Sequence, residues 1–265
     1  MIIENVKGNY GFIRGGGPFS SGCAARPGFE IVHAVIHPFV SLARGFELVE
    51  RHLKEIGRPI DALCAMHLRI PQPLTMKGFE EFNRPYVERL QSWGLEVDGA
   101  NPVARTNVAL EVRPVPEAIL AGFFYTAPAD AKIADAKIAD TKIADTKTAT
   151  FVLSGAAEMR MGEGGKRELV ASGDTSADGI RRKLECVIEA LIGHLRELNL
   201  SWDLATAVNL YTVHDVHRAL ASTLLPSIGG AAQVGVNWHY SRPPVSGLEV
   251  EIDAHGVRRE IVLTI

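Results

Sequence analysis

The residues best suited to chemistry stand in Ala104-Arg105-Thr106-Asn107-Val108. The surrounding segment alternates toward apolar packing at Val103, Val108 and Leu110, which places Arg105 in mid-strand. Two readings are open: a surface arginine on a sheet edge, or a guanidinium fork that clamps a carboxylate through two parallel hydrogen bonds. Asn107 projects from the same strand face as Arg105. Its amide can donate to a carboxylate, hold a water or satisfy a neighbouring backbone group. His33 and His37 are four apart on an extended segment that ends at Pro38, and the even spacing puts them on one face. An imidazole titrating near neutrality suits a hydrolytic water; a lone strand histidine is equally at home in a purely structural role. His214 and His217 could ligate zinc, but no third ligand accompanies them at suitable spacing, and Asp215 between them favours a helix N-terminus.

Other chemical signals are weaker. Gly15-Gly16-Gly17 lacks the Lys-Ser/Thr of a phosphate-binding loop. The glycines at 155, 162, 164 and 165 read as a hairpin turn. Cys23, Cys64 and Cys186 are odd in number, form no CxxC and have no local histidine partner. They indicate free thiols in a reducing compartment rather than a disulfide frame, a zinc site or a nucleophile. No organic cofactor and no metal is expected.

The elements that must position these residues belong to an ordinary folded chain. Of the 265 residues, 46% are hydrophobic and 22% charged, which excludes wholesale disorder. The net charge of −3 carries no basic block, so nucleic acid is not an expected partner. No signal-peptide core and no 18-residue apolar run occurs, so no membrane partner is expected and a cytoplasmic location is.

One segment, residues 129–150, repeats A-D-[AT]-K-I/T, and its four Asp and four Lys cancel. A five-residue step matches neither the helical nor the strand period, so no buried face results and the segment reads as a linker. It divides the chain into 1–128 and 151–265. Helical spacing covers Phe46–Ile56 and Ile180–Leu198, with His52-Leu-Lys-Glu lining up with His194-Leu-Arg-Glu. Asp61 and Asp203 each follow nine residues later, opening strands at Ala62–Leu68 and Leu204–Tyr211. Shorter helices at Phe79–Trp93 and His214–Leu225 come next. Two β-rich runs close each half, Val103–Val112 with Ala118–Tyr125, and Gln233–Tyr240 with Leu248–Ala254. Hairpin-like openings, Phe29–Ile36 and Phe151–Arg160, precede the long helices. The order β-β-α-β-α-β-β, written twice, predicts an α+β protein with one mixed sheet per half and two helices on one face of each.

The first half resembles the RidA/YjgF family of enamine/imine deaminases through Pro18-Phe19-Ser20-Ser21-Gly22, the Leu-Lys-Glu-Ile-Gly helix end, Gly78-Phe-Glu-Glu-Phe-Asn-Arg-Pro-Tyr86 and Ala104-Arg105-Thr-Asn-Val108. The second half is similar at Ser154-Gly155, along its long helix and at Leu248-Glu-Val-Glu-Ile-Asp-Ala254. The tandem arrangement is similar to the deaminases that act on 2-aminomuconate and 2-amino-5-chloromuconate in aromatic-compound degradation. The resemblance implies two tandem chorismate-mutase-like (RidA) domains, clefts between neighbouring domains, and a homo-oligomer, a trimer of two-domain chains. It implies a small-molecule carboxylate substrate held by Arg105, with Asn83 facing the cleft.

The chain also departs from the family pattern. Phe19 stands where many relatives have tyrosine, keeping a flat apolar wall without its hydroxyl, and Asn107 where many have cysteine. The second half has Gly235 at the place of the clamp and Asn237 at the place of Asn107. The family glutamate that holds the attacking water is replaced by Gly122 in the first half, while the second offers Glu251. Two arrangements follow: a composite cleft with Arg105 from one half and Glu251 or His239 from the other, or a first-half histidine, His33 or His37, serving the water. A dicarboxylate needs a second cation, for which Arg14, Arg26 and Arg69 are candidates. The expected activity is hydrolytic release of ammonia from an enamine or imine dicarboxylate. The alternative is a small-ligand-binding or regulatory protein that kept the pocket without catalysis, and a mutase-type isomerase is a weaker third.

Overall fold

The computed structural model describes residues 1–15, 18–129, 149–161 and 167–265, and the repetitive part of the 129–150 segment lies outside them. The first half contains β1 (Ile2–Asn5), β2 (Tyr10–Ile13), β3 (Gly22–Ala25), β4 (Phe29–Ser41), α1 (Leu42–Glu55), β5 (Leu63–Ile70), α2 (Met76–Ser92), β6 (Ala104–Leu110) and β7 (Ile119–Pro128). The second contains β8 (Phe151–Ala157), β9 (Met159–Met161), β10 (Arg167–Leu169), α3 (Ala177–Glu197), β11 (Ala207–Tyr211), a broken helical stretch over 217–233, β12 (Asn237–His239), β13 (Ser241–Arg242), β14 (Glu251–Gly256) and β15 (Arg259–Thr264). No helix among the described residues is long and apolar enough to cross a membrane.

Local chemistry accounts for the helix limits. Ser41, Thr75 and Ser176 cap the three long helices, each side chain accepting a hydrogen bond from the N–H three residues on. Gly57, at a φ of +69°, turns the chain out of α1. The second helix of the second half is not the regular element its spacing predicts. Pro226 has no N–H to offer the carbonyl of Ser222, and a π-helical turn over Leu220–Leu224 precedes it. Asp61 and Asp203 sit in equivalent 3₁₀ turns just before β5 and β11.

The strands form a six-stranded sheet, β13-β6-β5-β7-β4-β15, and a seven-stranded sheet, β1-β2-β3-β8-β14-β11-β12. The central order β6-β5-β7-β4 reappears as β12-β11-β14-β8, with the same parallel and antiparallel pairings. Yet neither sheet is made from one half alone. The amino-terminal strands β1 to β3 extend the second-half sheet through β8, while β13 and β15 extend the first-half sheet at both edges. The expectation of one sheet per half is corrected in this respect. The pattern of apolar residues marks where strands lie, but not which edge receives a terminal strand.

Helices cover only the outer faces. Phe46, Val49 and Leu53 of α1 and Tyr86 and Leu90 of α2 pack on Val32, Met66, Leu68 and Phe123 of the six-stranded sheet. Ile180, Leu184, Val187 and Leu191 of α3 pack on Leu153, Val208, Leu210 and Ile252 of the other. The inner faces meet through Tyr10, Phe12, Cys23, Ile31, Ala104, Phe124 and Val152, giving four layers, helix–sheet–sheet–helix. Toward one end this seam turns polar around His33, His67, Asp253 and His255.

A buried ion pair sets the entry to β14. Lys183 Nζ lies 3.2 Å from Glu158 Oε1, both side chains fully buried. Glu158 also accepts the N–H groups of Glu249 (2.6 Å) and Val250 (3.1 Å), the two residues before Glu251. Lys183→Met leaves that carboxylate buried without its cation and should destabilise the chain by about 3–5 kcal/mol. Urea denaturation of the two proteins measures it, and a loss below about 1 kcal/mol would show that the pair is dispensable.

Candidate functional site

Arg105 lies on β6 with its side chain on the helix side of the sheet, 2% exposed. Its guanidinium carbon is 4.7 Å from the ring centre of Phe19, 4.7 Å from that of Tyr86 and 5.5 Å from that of Phe79. The aromatic faces stabilise the cation but cannot use its N–H donors. None of its three nitrogens has a hydrogen-bond partner among the described residues. A buried guanidinium without an acceptor is costly, and a bound carboxylate would relieve that cost. Burial lowers its pKa to about 10, against the opposing pull of Tyr86 and Glu251, so it stays charged at neutral pH. Burial likewise raises the Tyr86 phenol to about 12.

Other unpartnered polar atoms surround it. Both amide atoms of Asn107, two residues along the same face, lack partners, as do Asn83 Oδ1, Tyr86 Oη and Ser20 Oγ. Asn83 and Tyr86 are one turn apart on α2, a spacing that puts them on one helix face.

The second half enters at the edge of β6. Ser154 Oγ on β8 accepts the N–H of Arg105 at 2.9 Å and donates to the carbonyl of Ser20 at 2.6 Å. The next residue, Gly155, has no side chain because Glu251 Oε1 occupies the space a β-carbon would fill. Glu251 is buried, and Arg105 acts on its charge across this junction. Burial and the nearby Asp253 push the Glu251 carboxyl well above the ordinary carboxylate range, and Arg105 and Arg69 only partly offset them. Arg105 of the first half and Glu251 of the second thus lie near enough for each charge to act on the other.

Beyond Glu251 the polar row continues. Tyr211, its cross-strand partner, donates to Asp253 Oδ2 at 2.9 Å. Asn209 donates to Asp253 Oδ1 at 2.7 Å and accepts from Asn237 at 3.0 Å. Burial opposes ionisation of Asp253, but His67 and Asn209 outweigh it and hold the carboxyl below its usual value. His239 stacks on Tyr211 with centroids 4.8 Å apart, and burial lowers its pKa. Arg69 lies 5.7 Å above the same ring and donates to its neighbour's carbonyl, Leu68 O. Arg14 instead donates to the carbonyls of Asp98 and Gly99, and Arg26 pairs with Glu4, so Arg69 is the candidate cation beside Glu251.

His33 stands at the far end of the row. Its ring stacks on Phe124 at 4.2 Å, lies 5.6 Å from His67 and 5.4 Å from His255, and its Nδ1 contacts Glu260 at 2.7 Å. Burial lowers the pKa of His33, and more strongly those of His67 and His255, the last to about 4. His37 lies farther along β4, opposite Thr264 of β15, and is not part of this buried group. The register of β4 against β7 breaks between Val35 and Val40, and His37 is exposed. His214 and His217 also separate, one on Glu249 and the other on Asp215. His67, His255, Asp253 and Tyr211 are site-lining residues that the sequence did not single out. The alternation of Glu251, Asp253 and His255 along one strand was the available signal.

A family model described as "2-aminomuconate deaminase CnbZ" matches residues 2–261. The 2-amino-5-chloromuconate deaminase of Comamonas testosteroni is 39% identical over 258 residues, spanning 97% of this chain and 96% of that protein. Among solved structures, a chorismatase is similar over 89% of this chain and 77% of its own (13% identity, TM-score 0.48). A putative endoribonuclease from Thermotoga maritima is similar over 42% of this chain and 80% of its own (23% identity, TM-score 0.33). A Rid-family protein of unknown function from Yersinia pestis is similar over 40% of this chain and 78% of its own (18% identity, TM-score 0.26). With one family model matching nearly end to end and a relative this similar over its whole length, the chain belongs to the 2-aminomuconate deaminase CnbZ family.

Proposed function

We propose that the chain is a hydrolase that releases ammonia from an enamine or imine dicarboxylate, with 2-aminomuconate or 2-amino-5-chloromuconate as the leading substrate. The observation that carries this reading is the buried Arg105 guanidinium, without a hydrogen-bond partner among the described residues and within electrostatic reach of the buried Glu251. Arg105 takes the carboxylate next to the reacting carbon, assisted by the open amides of Asn107 and Asn83, and Phe19 lies flat against the conjugated chain. The bound 2-amino-diene tautomerises to a 2-imine. Water adds at C2, the nitrogen collects a proton, and ammonia leaves as the C2 oxygen becomes a carbonyl; one water enters and one ammonia departs. Glu251, kept protonated by its surroundings, supplies the proton to nitrogen and then takes one from the added water. Arg69, on the other side of Glu251, receives the far carboxylate with His239 and Tyr211 beside it.

Purified chain should release ammonia from 2-aminomuconate, and Arg105→Ala should cut kcat/KM by at least about a hundredfold through lost positioning. Glu251→Gln should cost about 10²–10⁴-fold. Saturable binding of 2-aminomuconate without ammonia release would favour the binding-protein alternative.

Arg69→Met should lower kcat/KM for the dicarboxylate while leaving a monocarboxylate imine unaffected. Equal losses on both substrates would remove Arg69 from the far-carboxylate role.

The acid role of Glu251 has a consequence for stability. Its folded pKa is above the ordinary 4.5, so its contribution is full below that value and is lost as pH rises through the folded pKa. Wild type should therefore lose stability relative to Glu251→Gln from about pH 5 upward, as followed by urea denaturation at stepped pH. A difference that stays flat with pH would mean that Glu251 ionises normally.

The family resemblance also supports a trimer of two-domain chains, which light scattering would detect; a monomer would oppose it.

A further inference from the structure

Three strands that are far apart in sequence meet at the outer end of the polar seam. His33 comes from β4, His255 from β14 and Glu260 from β15, and His33 and Glu260 are direct partners in the β4–β15 register. His33 Nδ1 lies 2.7 Å from Glu260 Oε2, and one ring nitrogen of His255 completes a set of three atoms all within 4.8 Å of one another. His255 is 6% exposed, and its Nδ1 is buried without a hydrogen-bond partner among the described residues. Phe124 backs the group, stacked on His33 and 5.2 Å from His255, and so fixes both ring planes.

We propose that His33, His255 and Glu260 form a binding site for a divalent transition metal, zinc being the best match. Two imidazole nitrogens and one carboxylate oxygen are a zinc donor set, bound at about 2.0–2.2 Å. Ligands around such an ion stand roughly 3.4 Å apart, so the widest gap need close by little more than an ångström. Glu260 is 56% exposed along its side chain and free to make that adjustment. Calcium and magnesium prefer six or more oxygens and find one carboxylate here. His67 is not part of the set, because its Nε2 faces Asp253 at 3.8 Å. The remaining coordination position opens on the Glu260 side, where water completes it. The ion would pin β15 and β14, both from the second half, to β4 of the first, joining the two sheets at their seam.

The test uses the full chain after dialysis against a chelator, titrated with zinc alone and separately with cobalt(II), with metal counted after desalting. We expect one equivalent per chain, visible cobalt ligand-field bands, and a melting temperature raised on the order of 5 °C at a hundredfold excess over Kd. His255→Ala should abolish all three. Glu260→Gln, at an exposed position where folding is not at risk, should weaken zinc binding by at least about tenfold. His217→Ala should leave one equivalent bound, since His217 is exposed and paired with Asp215. Failure of wild type to take up zinc, or retention of the equivalent in both His255→Ala and Glu260→Gln, would overturn the proposal.

Discussion

The site depends on one contact, the Ser154 hydroxyl between the Arg105 N–H and the Ser20 carbonyl. On the outer side of β6, the two residues of β13 pair at Ala109 and Leu110. At Ala104 the edge is bridged by Ser20, and the Arg105 N–H goes to the Ser154 hydroxyl. An unpaired buried N–H costs about as much as a lost hydrogen bond. Ser154 satisfies it from the other sheet, which fixes the register between sheets where Arg105 and Glu251 approach. Gly155 then leaves room for the Glu251 carboxyl, and the strand bearing Glu251 enters under the control of Glu158 and Lys183.

The seam carries an unusual electrostatic load. Apolar packing of two sheets is favourable at about 25 cal/mol per Å² of buried apolar surface, and Tyr10, Phe12 and Ile31 provide that surface at one end. At the other end, Glu251, Asp253, His67 and His255 replace it with groups that prefer water. Asp253 is well supplied with donors and keeps its charge. Burial and the Asp253 charge push the Glu251 carboxyl up instead. Two carboxylates two residues apart on one strand are thus shifted in opposite directions because their environments differ, an arrangement suited to acid–base work.

Much of this was legible in the sequence. Helical spacing located α1 to α3, and the matched Asp61 and Asp203 located the turns before β5 and β11, because local patterns and caps set these elements. The Arg105, Asn83 and Phe19 cluster followed from the family resemblance. The sequence could not show that terminal strands cross between sheets, since edge pairing depends on which edge is free. It also misjudged which positions correspond between the halves. The 142-residue offset of Asp61 and Asp203 carries His67 to Asn209, and their partners are Gly122 and Asp253. The strand registers therefore match Gly122 with Asp253 rather than Glu251. They match Arg105 with Val236 rather than Gly235, because Met66 pairs with Arg105 and its counterpart Val208 lies one residue before the Asn209–Asn237 pair.

That registration bears on how one site arises from two similar sheets. A guanidinium at the second-half counterpart would face no carboxyl, since the first half offers Gly122 where the second has Asp253. A β-carbon at 122 would lie 3.0 Å from His33 Nε2 and 2.9 Å from the Ala34 carbonyl, so an acid there would have to displace the histidine. The first half therefore holds the cation and a histidine-packed wall, and the second holds the acids. Because Ser154 of β8 meets Arg105 where β6 passes, each half alone would hold an incomplete version of the proposed site.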